Sequence, residues 1–434
     1  MGQVRISSSS AVSKEEVEKS EHSIRGWLAI LGSFAAFFCS VGFINAFGVF
    51  QDYYRAHQLS AHSDFDISWI GSFATFMLFG CGPLAGILVD RKGPTLPLVA
   101  GSLGMLVAIF MTSLCSQYYQ FFLAQALLLG ASMAFLVCPA IATVSRYFRR
   151  NKGMAMGLTV SGSSLGGIVW PIVINELLNK DNISFGWTIR IIGFIMLPLL
   201  LLALLTIVSP QAASHPELTA GEEDQSTQGR HQVGKVSREQ VYSLVKTPAF
   251  LLLCAGLAIS YLGMFSPFFY VTSYARSLGH STSFAFYLVS IVNAASFFGR
   301  ILPGILADRY GHFNLCSLAV ILSGIIAFCW TAAEGVAALV IWSLAYGLTS
   351  GAIMSLQAAC AAHLTSPELQ GTSMGLILGS VAITALFGTP ISGQLVGSYS
   401  YLALSMYAGA CLVVGGALIF CARLKLNGQI FARQ

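Results

Sequence analysis

The chain has 434 residues, of which 55% are hydrophobic and only 9% charged, with a formal net charge of +5. A soluble domain carries roughly 25% charged residues, so this chain lacks the polar surface to live in water and reads as an integral membrane protein. Its Lys and Arg residues lie between apolar stretches rather than in a patch with interleaved aromatics, which argues against a nucleic-acid partner.

Residues 1–25 are polar and charged, so no cleavable signal peptide is expected and they read as a cytoplasmic N-terminal tail. Ile6 stands where a myristoylation motif needs Ser or Thr. A helix that crosses a bilayer needs about 20 mainly apolar residues. Six such stretches follow, at 27–50, 67–89, 95–115, 119–145, 153–175 and 186–208, forming an N-terminal half over 26–208. Residues 209–247 are polar, include Glu222-Glu223-Asp224, and read as a cytoplasmic linker. Ser237 with Gln240 predicts a capped short helix at its end. Thr247-Pro248 predicts the N-cap and first position of span seven. Six further stretches, at 248–272, 283–306, 313–332, 335–360, 371–392 and 400–422, form a C-terminal half over 248–422, followed by a short cytoplasmic tail, 423–434. The predicted class is an all-α membrane protein with twelve transmembrane helices in two six-helix halves.

With the N-terminus inside, eighteen Lys and Arg residues fall on the inner side and four on the outer, with Arg300 inside a span. That asymmetry predicts cytoplasmic termini and linker. Asn182-Ile183-Ser184 is a glycosylation sequon and falls in an outer loop, so Asn182 is the candidate acceptor. None of the ten cysteines forms a C-x-x-C pair, and they read as small buried hydrophobes.

The octet Gly86-Ile87-Leu88-Val89-Asp90-Arg91-Lys92-Gly93 recurs 218 residues later as Gly304-Ile305-Leu306-Ala307-Asp308-Arg309-Tyr310-Gly311. At the same offset Gly153, Met156, Gly157 and Leu158 become Gly371, Met374, Gly375 and Leu376. Two matches at one spacing indicate duplicated halves, a construction used by many secondary transporters. The octets resemble the signature loop of the major facilitator superfamily, over about residues 26–425. The resemblance implies that Gly86, Asp90, Arg91, Gly93, Gly304, Asp308, Arg309 and Gly311 lock an inner gate between the halves. In span five, Gly153, Gly157, Gly162, Gly166 and Gly167 are spaced to form a flat packing face. The run from Gly162 to Gly167 is similar to the superfamily's antiporter motif, with Ser163 where a proline is expected.

Arg300 lies eight residues before Asp308, so about 12 Å deeper in the membrane. An intramembrane Arg costs at least about 2.5–3.5 kcal/mol and is a functional candidate by default. It either snorkels to the inner surface or binds an anion. Gly82 occupies the matched place in the first half, so Arg300 breaks the pseudo-symmetry, which favours an anionic substrate. Asn45, Gln125, Asn175, Asn293 and Gln357 are further polar residues within spans. Asn45, Asn293 and Tyr270 are the favoured companions of Arg300 in a substrate site.

The segment Phe265–Tyr274, with Ile67–Ser72 at span two, resembles the fungal form of the monocarboxylate-porter branch. Animal members of that branch carry a first-helix Lys and an Asp four residues before the eighth-helix Arg. Val49 and Ser296 stand near those places here, and the Arg is retained as Arg300.

No P-loop, H-E-x-x-H, G-x-S-x-G or clustered metal ligands occur, so neither an enzyme nor a cofactor or metal site is expected. The preferred reading is a monomeric, multi-pass secondary transporter of the plasma membrane, with a vacuolar or other internal membrane as the alternative, that moves a small organic acid or related metabolite by alternating access. Its expected partners are that small anionic molecule, a possible coupling proton and the lipid bilayer. An exporter of a larger fungal secondary metabolite is the alternative, and a transporter-like nutrient sensor a minor one.

Overall fold

The computed structural model describes residues 23–180, 183–209 and 238–426. The proposed glycosylation at Asn182, the cap at Ser237 and most of the linker lie outside the described residues.

In lipid, each backbone N–H and C=O must be bonded internally, so long apolar runs become helices. Among the described residues these are α1 (Ile24–Ala56), α2 (Phe65–Lys92), α3 (Thr95–Thr112), α4 (Tyr118–Tyr147), α5 (Lys152–Leu178), α6 (Phe185–Thr206), α7 (Pro248–Ser277), α8 (Thr282–Tyr310), α9 (His312–Phe328), α10 (Val336–Leu364), α11 (Pro367–Ser398) and α12 (Tyr401–Leu426). The twelve-helix reading therefore holds. Thr247 is the N-cap of α7 and Pro248 its first position, and the short helix before it spans Arg238–Lys246.

Several ends differ from the expectation. The first span runs six residues past 50, to Ala56, because the helix continues into Gln51-Asp52-Tyr53 after apolarity stops. It is interrupted at Ser40, whose hydroxyl bonds back to Ala36 O at 2.6 Å, and again at Asn45. Span nine ends at Phe328, with a 3-10 turn at Trp330–Ala332. Its 17 residues rise about 26 Å, slightly less than a hydrocarbon core of about 30 Å. At the other end α12 extends to Leu426 and carries Arg423, fully buried, with its Nε donating to Asn314 Oδ1 at 2.7 Å. Four cysteines are buried as expected, but Cys329 and Cys421 are exposed.

Each octet ends its helix on a glycine of positive φ, 82° at Gly93 and 96° at Gly311. The N–H of Gly93 returns to Val89 O at 2.9 Å and that of Gly311 to Ala307 O at 2.8 Å. Left-handed backbone costs little without a Cβ, which is why both copies close on Gly.

The halves meet along two matched crossings, α2 against α11 and α5 against α8. At these crossings backbones touch. A Cβ on Gly86 would overlap Gly371 O, and one on Gly304 would overlap Gly153 O. One turn deeper, a Cβ on Gly375 would overlap Gly82 O and one on Gly157 would overlap Arg300 O. All four contacts obey the 218-residue offset, so the sequence repeat is also a repeat of the seam.

The α5 glycines do not form a single face. Gly153 and Gly157 face α8, whereas Gly162 and Gly166 pack against α1 at Phe34, Phe38 and Gly42. Five residues separate Gly157 from Gly162, which turns the helix about 140° off the first face. Gly167 returns to the side of α8, under Asn293 and Asn45.

Candidate functional site

At the octets each half caps a helix of the other. Asp90 accepts from the backbone N–H groups of Gly371 (3.0 Å) and Thr372 (2.6 Å) in the first turn of α11's main helical segment. Asp308 accepts from those of Gly153 (2.7 Å) and Met154 (2.9 Å) at the start of α5. The first N–H groups of a helix lack intrahelical partners and carry a positive partial charge, so a carboxylate satisfies both needs. Cation bonds flank each cap: Arg146 donates to Pro367 O at 3.2 Å and Lys152 to Ala362 O at 3.0 Å.

Asp90, its side chain 0% exposed, pairs with Arg146 at 2.8 Å. Asp308, 10% exposed, has Nε2 of His312 at 3.1 Å. Arg91 and Arg309 are exposed and take no part in these bonds, although the octets suggested a gate role for them. Arg146 takes the position expected of Arg91. In the sequence it was only one of the inner-side positive charges, because nothing local links it to a residue 56 positions earlier.

Eight to fifteen residues before Asp308 on α8, so about 12–22 Å from it, a small cavity opens between the halves. Its walls are Asn45 of α1, Met264, Phe265 and Phe268 of α7, Asn293, Ser296 and Arg300 of α8, and Ser350 and Met354 of α10. Three of the four favoured residues thus come together, and Tyr270 does not. Its hydroxyl points to α11, donating to Thr389 O at 3.4 Å beside Gly393. The apolar liners were not legible in the sequence, since a cavity-facing Phe or Met looks like any other in a span.

Arg300 is 3% exposed and does not snorkel. Its Nη1 crosses to the other half, donating to Val160 O at 2.7 Å and to Ser163 Oγ. A short step away Ser164 Oγ donates to Ser296 Oγ at 3.3 Å. Both departures from the family patterns, Ser163 and Ser296, therefore belong to one polar bridge between α5 and α8. No carboxylate pairs with Arg300 among the described residues, and its Nε is buried without a hydrogen-bond partner. Asn293, 1% exposed, donates from Nδ2 to Val289 O at 3.0 Å and leaves Oδ1 buried and unpartnered. Behind this wall Tyr261 donates to Gln357 Oε1 at 3.1 Å. An unmatched buried donor and acceptor each cost roughly 1–3 kcal/mol, which a ligand bearing the complementary groups would recover.

The profile of the Major Facilitator Superfamily matches residues 26–389. An MFS-type transporter of Aspergillus fumigatus is 49% identical over 93% of both chains. The agnestins efflux protein AgnL12 of Paecilomyces divaricatus is 48% identical over 99% of this chain and 94% of its own. Neither relative bears the name of a monocarboxylate porter. In fold, the crystal structure of the human organic anion transporter MFSD10 superposes with a TM-score of 0.68 at 14% identity, covering 93% of this chain and 99% of that one.

Proposed function

Because the chain belongs to the major facilitator superfamily, and is therefore a multi-pass membrane transporter rather than an enzyme, we propose that it exports an acidic fungal secondary metabolite from the cytoplasm. Of the readings the sequence allowed, the exporter is the best supported, by the efflux name of a relative that aligns over nearly the whole chain. The observation that carries the anionic part is Arg300, a buried cation at the cavity wall with no carboxylate partner among the described residues. Asn45 and Asn293 complete the site. The monocarboxylate-porter likeness remains as a likeness of this arginine's position, without extending to lactate-sized substrates. We assign the octet end of the bundle to the cytoplasm, from the eighteen-to-four charge asymmetry, and the plasma membrane as the site of action. Proteolysis of the 209–247 linker from the outside of intact cells would refute that orientation.

Deleting the protein from a producing strain should shift an acidic metabolite from medium to cells, and restoring it should reverse the shift. An unchanged distribution in the extracts would refute export.

In this reading the seam is the inner gate, and Asp90 and Asp308 are its locks. Asp90→Asn should lower transport per surface molecule by about tenfold or more, because it leaves Arg146 facing a neutral amide at a buried position. Asp308→Asn should lower it as well, since an amide is a weaker acceptor than a carboxylate for the N–H groups of Gly153 and Met154. Equal wild-type rates in both variants would remove the locking role.

A further inference from the structure

The cavity holds two unsatisfied atoms of opposite kind on one wall: a donor, Nε of Arg300, and an acceptor, Oδ1 of Asn293. Their spacing can be read from α5. Arg300 reaches Val160 and Ser163 through Nη1, and Asn293 abuts Gly167 four to seven residues on, so the two side chains are separated by about 6–10 Å along that helix. The same cavity is also lined by Phe265, Phe268, Met264 and Met354. Aromatic faces and thioethers favour a flat, polarisable body between the two polar points.

We infer that the site, which is nearly closed here and opens in the transport cycle, recognises an aromatic acid that carries a hydroxyl or N–H donor about one ring's length from its anionic oxygen. The anion takes the free edge of the Arg300 guanidinium, and the donor bonds Asn293 Oδ1. A body without the donor would leave the Asn293 oxygen buried and unpaired, and sites built around a substrate hydroxyl reject analogues lacking it. The proposal rests on the reading of this cavity as the substrate site.

The test uses purified full-length protein and three probes: 4-hydroxybenzoate, 4-fluorobenzoate, which keeps shape and charge but lacks the donor, and 4-hydroxybenzamide, which lacks the charge. Affinity is read from the ligand-dependent shift of thermal unfolding. Wild type should bind 4-hydroxybenzoate about tenfold tighter than 4-fluorobenzoate. In Asn293→Leu the two acids should bind equally. In Arg300→Gln both acids should weaken while 4-hydroxybenzamide is unchanged. If Asn293→Leu does not fold, Asn293→Ala carries the same comparison. Acids that bind through Arg300 with no preference for the hydroxyl, or with a preference that survives loss of Asn293, would overturn this two-point site and leave the Arg300 reading standing. Binding of neither acid, or binding indifferent to Arg300, would overturn both.

Discussion

Gly86→Ala is expected to abolish transport while leaving substrate binding in place. The added methyl would lie inside the van der Waals envelope of Gly371 O, a backbone atom that cannot rotate away. Overpacking of this kind costs about 1–3 kcal/mol, charged here against the closed seam alone, which corresponds to a shift in its population of roughly 5- to 150-fold. Alternating access needs the seam to close in every cycle, so turnover falls while the open form still offers the cavity. Gly304→Ala, whose methyl would meet Gly153 O, should behave alike. Gly397→Ala is the control, since no atom lies within 4 Å of its added methyl. Transport per surface molecule and ligand-induced stabilisation are measured in all three variants. Wild-type turnover in Gly86→Ala would mean that the contact between Gly86 and Gly371 is not made during the cycle.

The second large effect falls on binding. Arg300→Ala should weaken an anionic substrate by about 2–5 kcal/mol, at least roughly thirtyfold. Arg300→Lys should restore only part of this. Lysine keeps the charge but has no planar fork with which to hold Val160 O, Ser163 Oγ and a substrate oxygen together. Binding equal to wild type in the lysine variant would reduce Arg300 to a point charge. Undiminished binding in the alanine variant would remove it from the site. The two variant sets separate cleanly, since the glycine variants fail in turnover and the arginine variants in affinity.

What could be read from the sequence follows from how each residue type is constrained. The octets and the 218-residue offset were legible because only glycine fits where two helix backbones touch, so its spacing survives in both halves. Arg300 was legible because a charge in an apolar run is too costly to be incidental. Asn45 and Asn293 were legible as rare amides in spans, and the structure brings them together over Gly167. Tyr270 was misplaced because its face depends on the phase of α7, which apolarity on all sides does not define. Arg146 was missed, and Arg91 put in its stead, because adjacency in sequence is a poor guide to a bond made across a helix bundle. Ser163 and Ser296 were read as departures from a pattern. Only their meeting across the seam shows them to be parts of one polar bridge.

The reciprocal caps also impose an order on how the chain is completed. Asp308 finds its partners already made, since Gly153 and Met154 precede it by 155 and 154 residues. Asp90 must wait for Gly371, 281 residues downstream, which at 5–20 residues per second is roughly a quarter of a minute to a minute of synthesis. Arg146 emerges much sooner, 56 residues after Asp90, and can neutralise the carboxylate during that interval. Arg146 thus attends the cap on the half that is born first and has longest to stand alone.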